Sequence, residues 1–238
     1  MSILDNAARH SFRFLGLLRR PLLSFLPSVP ASQMDLAHRS ESFRGSPLIE
    51  LESLLNRLDA KKIFGRRAAL HVDLGCGDGS FLCALAQRMP EKNFLGIERL
   101  LGRLRSAAVK AAKIRNVHVL RMESSYVVRY LLPPRSVETF YLLFPDPWPK
   151  RRHWRRRIVT PDLLKAISRA LVHGGTLLIA TDHLSYFEKI KEIAQANLDL
   201  ASVDPARVNL PQSRFARIFQ QQGAAIYWLE LRKVSPVR

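Results

Sequence analysis

Three short stretches carry residues that could do chemistry. The run Val72-Asp73-Leu74-Gly75-Cys76-Gly77-Asp78-Gly79-Ser80 reads as a strand end, a glycine turn and a helix start. Gly75, Gly77 and Gly79 let backbone approach a ligand closely, and the helix that follows offers free amides. A hydride-carrying dinucleotide prefers G-x-G-x-x-G with its pyrophosphate on the helix dipole. Here the spacing is G-x-G-x-G, and Asp73 stands two residues before the first glycine. A buried acid at that place repels pyrophosphate and attracts a cation. S-adenosylmethionine carries a sulfonium and an α-ammonium that such a carboxylate can meet, and Glu98, 19 residues past Gly79, is placed to accept from ribose hydroxyls. The expectation is a methyl-donor site on Asp73, Gly75, Gly77, Gly79 and Glu98, with a dinucleotide site or a merely structural turn as alternatives. At the end of the next strand, Glu123 either touches the adenine or starts a helix as an acid facing its dipole.

The second stretch is Pro145-Asp146-Pro147-Trp148-Pro149-Lys150. Its prolines forbid regular structure and predict a stiff loop after a parallel strand, on the edge where open α/β sheets bind ligands. Asp146 beside the Trp148 face suits a flipped purine, hydrogen-bonded at its edge and stacked on the ring; a proline turn anchored by a tryptophan is the alternative. The third stretch follows directly: Lys150 to Arg157 holds six positive charges in eight residues, with Trp154 among them. Charge runs are usually solvated faces, but this one adjoins the predicted site and reads as a phosphate clamp, Arg155, Arg156 and Arg157 included. The segment Leu101 to Arg115 adds Arg103, Arg105, Lys110, Lys113 and Arg115 without an acid, either as more of that clamp or as solvent-facing charge. Thr181-Asp182 sets another carboxylate on the same edge. His153, inside an arginine run, suits phosphate better than proton abstraction. Cys76 and Cys83 read as packing residues.

These residues need a frame. Apolar runs alternate with helical patterns: strands at 69–74, 93–97, 117–122, 137–144 and 176–180, helices at 80–89, 101–114, 161–171 and 186–197. Such units predict a doubly wound α/β fold, a mostly parallel sheet with helices on both faces. Ala224 to Leu231 predicts one more strand, antiparallel, after a loop with Pro205 and Pro211. Leu48, Leu51, Leu54, Leu55 and Leu58 recur at three and four and predict a helix over 46–58 that leads into the domain. Residues 1–45 carry Pro21, Pro27 and Pro30, several arginines and few acids; they predict a flexible basic extension, with a targeting segment as the alternative. The domain proper is 46–238.

Composition bounds the function. The chain has 238 residues, 47% hydrophobic and 24% charged, enough to bury a core. Lys and Arg number 38 against 20 Asp and Glu, a net charge of +18, which favours a polyanionic partner. Leu22 to Leu26, between Arg20 and Pro27, is far short of a membrane span. Two cysteines cannot build a disulfide framework or a four-ligand zinc site. The reading is a cytoplasmic protein with no metal.

Together, Asp73 to Gly79, Gly96-Ile97-Glu98, Phe144 to Arg157, Gly174-Gly175 and Thr181-Asp182 resemble the tRNA (guanine-N7-)-methyltransferase family over about Leu48 to Leu231, the proline-tryptophan-basic motif being specific to it. The resemblance implies a Rossmann-like class I methyltransferase fold and transfer of a methyl group from S-adenosylmethionine to N7 of the variable-loop guanine, position 46 of tRNA; a methyltransferase on another RNA or a protein, or a non-catalytic tRNA-binding subunit of the same fold, is the alternative. It implies Asp73, Glu98, Glu123 and Asp146 around the donor, and Lys150, Asp182 and the late Ser213, Arg214 and Phe215 on the RNA. Asp146 and Asp182 are the expected catalytic acids, stabilising charge on the purine. The expected partner is tRNA, the chain acting as a monomer or homodimer, with no protein partner required by the sequence. The family has Asp where Glu123 stands, and its Thr-x-Phe-Glu here reads Ser213-Arg214-Phe215-Ala216.

Overall fold

The computed structural model describes residues 46–204 and 210–234; the expectation for 1–45 lies outside them. Eight strands form one sheet: β1 (Leu48–Ile49), β2 (Leu70–Leu74), β3 (Asn93–Glu98), β4 (Val117–Arg121), β5 (Val137–Leu143), β6 (Leu171–Thr181), β7 (Leu200–Val203) and β8 (Tyr227–Lys233). Their order is β1-β4-β3-β2-β5-β6-β8-β7, parallel from β1 through β6 and antiparallel where β8 pairs with β6 and β7. The helices are α1 (Ala60–Phe64), α2 (Ser80–Arg88), α3 (Leu101–Ala111), α4 (Ser124–Tyr126, prolonged by a π-helical turn at Val127–Leu131), α5 (Pro161–Ala170), α6 (Leu184–Gln195) and α7 (Arg214–Gln221). The doubly wound α/β fold with an antiparallel C-terminal strand is therefore the one observed.

Alternation along the strands explains why both faces are covered. Val72, Leu95, Ile97, Phe140, Leu142, Leu177 and Ile179 enter one core with Leu163, Leu164 and Ile167 of α5 and Tyr186 and Ile190 of α6. Their strand neighbours Phe94, Val119, Tyr141 and Leu178 enter a second core with Phe81, Leu82 and Leu85 of α2 and Leu104 and Ala107 of α3. A strand apolar on both sides needs a helical layer on each. Asp73 alternates with Val72 and Leu74, so it belongs to the α2–α3 side.

The helix expected over 46–58 is not there. Leu48 and Ile49 instead form the edge strand β1, beside Val119 and Leu120, and Leu54 and Leu55 are exposed, the latter by 88%. A five-leucine stripe makes too few intrahelical bonds to outweigh strand pairing. Helix begins only at Ala60, where the Asp59 carboxylate accepts from the Lys61 and Lys62 amides. β6 starts earlier than expected, at Leu171, through an irregular register opposite Val137 and Thr139. β7 and α7 have no counterpart in the sequence reading, whereas α4 with its π-turn is the helix that Glu123 starts under the alternative given for it.

Candidate active site

Chain order reverses across the sheet between β2 and β5, so a crevice opens at their carboxyl ends. A cavity of about 250 Å³ lies there, floored by Asp73, Gly75, Cys76 and Gly77 and walled by Phe81, Arg103, Leu143 and, from α7 and its cap, Ser213, Arg214, Phe215 and Ile218. The glycine turn is left-handed at Gly75, Gly77 and Gly79 (φ 86°, 57° and 74°), and it holds to β3 through the Gly75 and Cys76 amides, which donate to the Ile97 carbonyl at 2.8 and 3.0 Å. At Gly96 a Cβ would stand 2.6 Å from Leu82 and 2.7 Å from the Cys76 sulfur, so only glycine lets α2 and the turn seat on β3. Cys76 and Cys83 are buried free thiols, both raised above their usual range by burial; they pack.

Asp73 is 3% exposed, and burial, then the nearby Glu98 charge, push its carboxyl up to about 7. Glu98 lies behind the turn: Oε2 accepts from the Gly77 amide at 3.1 Å and Oε1 from the Leu100 amide at 2.8 Å. Among the described residues neither acid is in an ion pair. A fully buried carboxylate on a cavity floor fits a cationic ligand and disfavours pyrophosphate. The donor set suits the sulfonium and ammonium of S-adenosylmethionine. Beneath Asp73, His71 accepts from the Tyr141 hydroxyl at Nδ1 (3.0 Å) and donates from Nε2 to Glu138 (2.8 Å), which also takes Lys92 at 2.7 Å. Burial outweighs the raising effect of Glu138 and holds His71 below its usual value, so a neutral imidazole, anchored on the Glu138–Lys92 ion pair, pins β2 to β5 under the cavity.

Glu123 is an N-cap. Its oxygens accept from the Ser125 amide (3.0 Å), the Tyr126 amide (2.7 Å) and the Ser125 hydroxyl (2.6 Å). Burial would raise its carboxyl, but these bonds and Arg129 outweigh it and hold the group below its usual range. It stands outside the cavity lining, as do Gly79, Glu98, Asp146, Trp148, Lys150, Arg155, Arg156, Arg157 and Asp182; the Glu98 oxygens expected on ribose hydroxyls accept backbone amides instead.

The loop after β5 is held under strain. Phe144 and Trp148 both have positive φ (54° and 42°), a conformation L-residues keep only where packing enforces it. Phe144 packs against Phe219 and Phe215 of α7 (5.3 and 6.4 Å). Trp148 stacks on His153 at 5.6 Å and 9° and carries the Arg156 guanidinium at 4.9 Å. The indole expected to receive a purine is thus engaged by the chain's own basic segment, and a base would have to displace one of these groups. Asp146 and Lys150 are exposed and Asp182 half-buried. The basic run Arg151–Arg156 forms a 3-10 helix, and its charges divide. Arg155 and Arg156 face solvent. Arg157 is 8% exposed, donates from Nε to the Pro147 carbonyl at 2.8 Å and lies between the Trp154 and Tyr186 rings at 4.8 and 4.6 Å. It braces the loop that carries Asp146.

The structure lines one cavity with Asp73, Gly75, Gly77, Ser213, Arg214 and Phe215, of which the sequence reading assigned the first three to the donor and the last three to the RNA. That reading missed that 214–221 is a helix walling it, although Ser213 followed by Phe215, Ile218 and Phe219 is a cap before an apolar face. It read Arg103 as clamp or solvent-facing charge, whereas Arg103 lines the cavity with its guanidinium over Phe215 at 5.8 Å.

The chain is similar to known proteins. Residues 67–229 match the family described as putative methyltransferase. A tRNA (guanine-N(7)-)-methyltransferase of Leifsonia xyli is 38% identical over 184 residues, 74% of this chain and 81% of that protein. One of Thermotoga maritima is 35% identical over 187 residues, 75% of this chain and 58% of that protein. One of Nitrosococcus oceani is 30% identical over 227 residues, covering 90% of this chain and 92% of that one; this share exceeds what residues 46–238 can supply, so the likeness reaches into the N-terminal extension, which the sequence reading left outside the resemblance. Among solved structures, the 16S rRNA methyltransferase KamB aligns with TM-score 0.52 at 16% identity over 76% of this chain and 95% of that one. A SAM-dependent methyltransferase of Aquifex aeolicus aligns with TM-score 0.50 at 16% identity over 73% and 87%. These two share the fold alone. With the donor-type cavity, the proline-tryptophan loop and relatives that match across most of their length, the chain belongs to the tRNA (guanine-N7-)-methyltransferase family.

Proposed function

We propose that the protein transfers a methyl group from S-adenosylmethionine to N7 of the variable-loop guanine, position 46 of tRNA. The observation that carries this is a buried carboxylate, Asp73, on the floor of a cavity at the carboxyl edge of the sheet, where the Asp146 loop also emerges. S-adenosylmethionine, when bound, supplies an electrophilic methyl on its sulfonium. Asp73 meets the donor's positive charge, and Glu98 holds the Gly77 amide so that the turn keeps its shape. Glu123 contributes as the cap that fixes the chain after β4 at the donor edge. Guanine N7 has an in-plane lone pair, so no side chain need remove a proton, and the work of the site is alignment. Asp146 and Asp182 lie after adjacent strands, where carboxylates stabilise the positive charge that grows on the purine. Lys150, Arg155 and Arg156 bind phosphate, with Trp148 and Arg157 holding their segment in place. Ser213, Arg214 and Phe215, on the cavity wall, bound the guanine side. We further propose a cytoplasmic monomer or homodimer; no described helix is long and apolar enough to cross a membrane.

The test is to incubate the purified chain with labelled S-adenosylmethionine and a tRNA bearing a variable-loop guanine, then to map 7-methylguanosine by chain cleavage. Label at that guanine is expected. Label at another atom or only in another RNA would overturn the assignment.

A further inference from the structure

Lys110 departs from the pattern of its own helix. Along α3 and its flank, Arg103, Arg105, Lys113 and Arg115 are exposed, whereas Lys110 turns its ammonium onto the glycine turn. Nζ donates to the Asp78 carbonyl at 2.9 Å, to Asp78 Oδ2 at 2.7 Å and to Ser80 Oγ at 2.7 Å, which uses all three protons of an ammonium. The Asp78 carboxylate also accepts from the Ser80 amide at 3.1 Å and the Ser80 hydroxyl at 2.9 Å. Burial alone would raise the Asp78 carboxyl, but the bonds from Lys110 and Ser80 outweigh it and hold the group below its usual range. Asp78 stands between Gly77 and Gly79 and borders the cavity. One turn earlier on α3, Ala107 lies so near the turn that a Cβ on Gly79 would be 2.9 Å from it. The helix therefore grips the turn through a close backbone contact and an ion pair, while Glu98 holds the Gly77 amide from the other side.

We propose that Lys110 is a positioning residue for the methyl donor, its ion pair with Asp78 fixing the Gly75 to Gly79 turn in the shape that donor binding requires. The inference rests on the reading of the cavity as the donor site. A lysine on a basic helix has a competing role, contact with an RNA phosphate, and the two roles move different quantities.

The experiment is calorimetric titration of S-adenosylhomocysteine, and separately of tRNA across a salt series, into the wild-type chain and the Lys110→Met, Lys110→Arg, Asp78→Asn and Lys113→Met variants. Lys110→Met and Asp78→Asn should each weaken S-adenosylhomocysteine binding about tenfold. The double variant should lose little beyond either single one, because both remove the same interaction. Lys110→Arg should recover part of the loss, and Lys113→Met should leave it at the wild-type value. In steady state the loss should fall on KM for the donor, with kcat changed less than about twofold, and the slope of tRNA affinity against salt should stay as in the wild type. An unchanged S-adenosylhomocysteine affinity in Lys110→Met and Asp78→Asn overturns the proposal, as does a salt slope reduced by roughly one phosphate contact in Lys110→Met or additive losses in the double variant. A wild-type chain that binds neither donor nor product overturns the donor reading itself, and this inference with it. Should Lys110→Met melt early, Asp78→Asn and Lys110→Arg carry the same comparison.

Discussion

The two halves of the candidate site follow opposite electrostatic plans. At the donor half, charge is buried and negative: Asp73 is 3% exposed and Glu98 6%, with amides and a glycine turn arranged about them. At the RNA half, charge is exposed and positive, carried by Lys150, Arg155 and Arg156 on a loop and a 3-10 helix. A cationic small molecule gains most from a carboxylate shielded from water, because the interaction is screened least there. A polyanion needs many cations that water and counterions can reach. On the proposed function, one strand edge serves both ligands by burying one kind of charge and exposing the other.

The sharpest way to break this comparison is to remove the buried charge. Asp73→Asn should weaken donor binding by about 100-fold or more, since an unmet buried cation costs roughly 3 kcal/mol. Its tRNA affinity should be unchanged. Equal losses for both ligands would show that the halves are not separate.

Proton linkage gives a second test of similar size. Without ligand the Asp73 carboxyl sits at about 7, above its unfolded value, so its protonated form favours the fold at low pH, and that contribution is lost as pH rises from about 4 through about 7. The loss is on the order of a few kcal/mol. Donor binding runs the other way, because the cation needs the ionised form: affinity should rise with pH up to roughly 7 and then level. Melting curves with and without donor should therefore separate as pH increases. Asp73→Asn should flatten both trends, and a profile identical to wild type would assign the pH dependence to other groups.

Within the basic segment, Arg157 and Arg155 should separate by about 2 kcal/mol. Arg157→Ala removes a hydrogen bond and two cation–π contacts in a nearly buried place, so it should cost about that much stability and lower kcat by loosening the Asp146 loop. Arg155→Ala should leave Tm alone and reduce the tRNA salt slope by roughly one. If both variants altered only the salt slope, Arg157 would belong with the exposed clamp after all.

That pair also shows what was legible in the sequence. Strand and helix alternation gave the parallel sheet because its signal, apolar runs between crossover helices, is local. Asp73 and the glycines were legible because spacing alone restricts what a strand-turn-helix can bind. Which of six neighbouring cations faces inward was not, since Arg157 owes its burial to packing on Tyr186, 29 positions away, and the part-exposed Lys110 of α3 is likewise drawn to the glycine turn by Asp78, 32 positions away. The leucine stripe at 48–58 misled for a related reason: its periodicity is helical, but the free edge of β4 is a stronger partner for Leu48 and Ile49 than a short helix is for itself.

Glu123 offers a test at about 1 kcal/mol. As the cap of α4 it satisfies two helix amides, so Glu123→Ala should lower Tm by a few degrees, the amount a lost cap costs a chain of this size. Donor affinity should fall by about threefold, through the displaced segment after β4. A loss of donor affinity without loss of stability would instead place the carboxylate on the donor.

The smallest expected effect concerns the helix that closes the cavity. Ser213 caps α7 by accepting from the Ala216 amide at 3.1 Å, and Ala216 occupies the third helical position, where the family carries Glu. Thr-x-Phe-Glu has the form of a capping box, in which the acid returns a bond to the cap residue's amide; here Ser213 supplies only the first half. Ala216→Glu should restore the second half and stabilise α7 by about 0.5 kcal/mol, the low end of what capping contributes. Ala216 is 8% exposed, so the new carboxylate must turn outward along the helix start to reach that amide. Turned inward, it would put a negative charge on the cavity side of Phe215, where a methylated purine is positive. Turnover separates the two: an outward acid raises Tm and leaves kcat unchanged, whereas an inward one raises kcat, because the purine gains its charge only as the methyl is transferred, and gains nothing in Tm. The first is expected, because the Ser213 bond already sets the backbone for it.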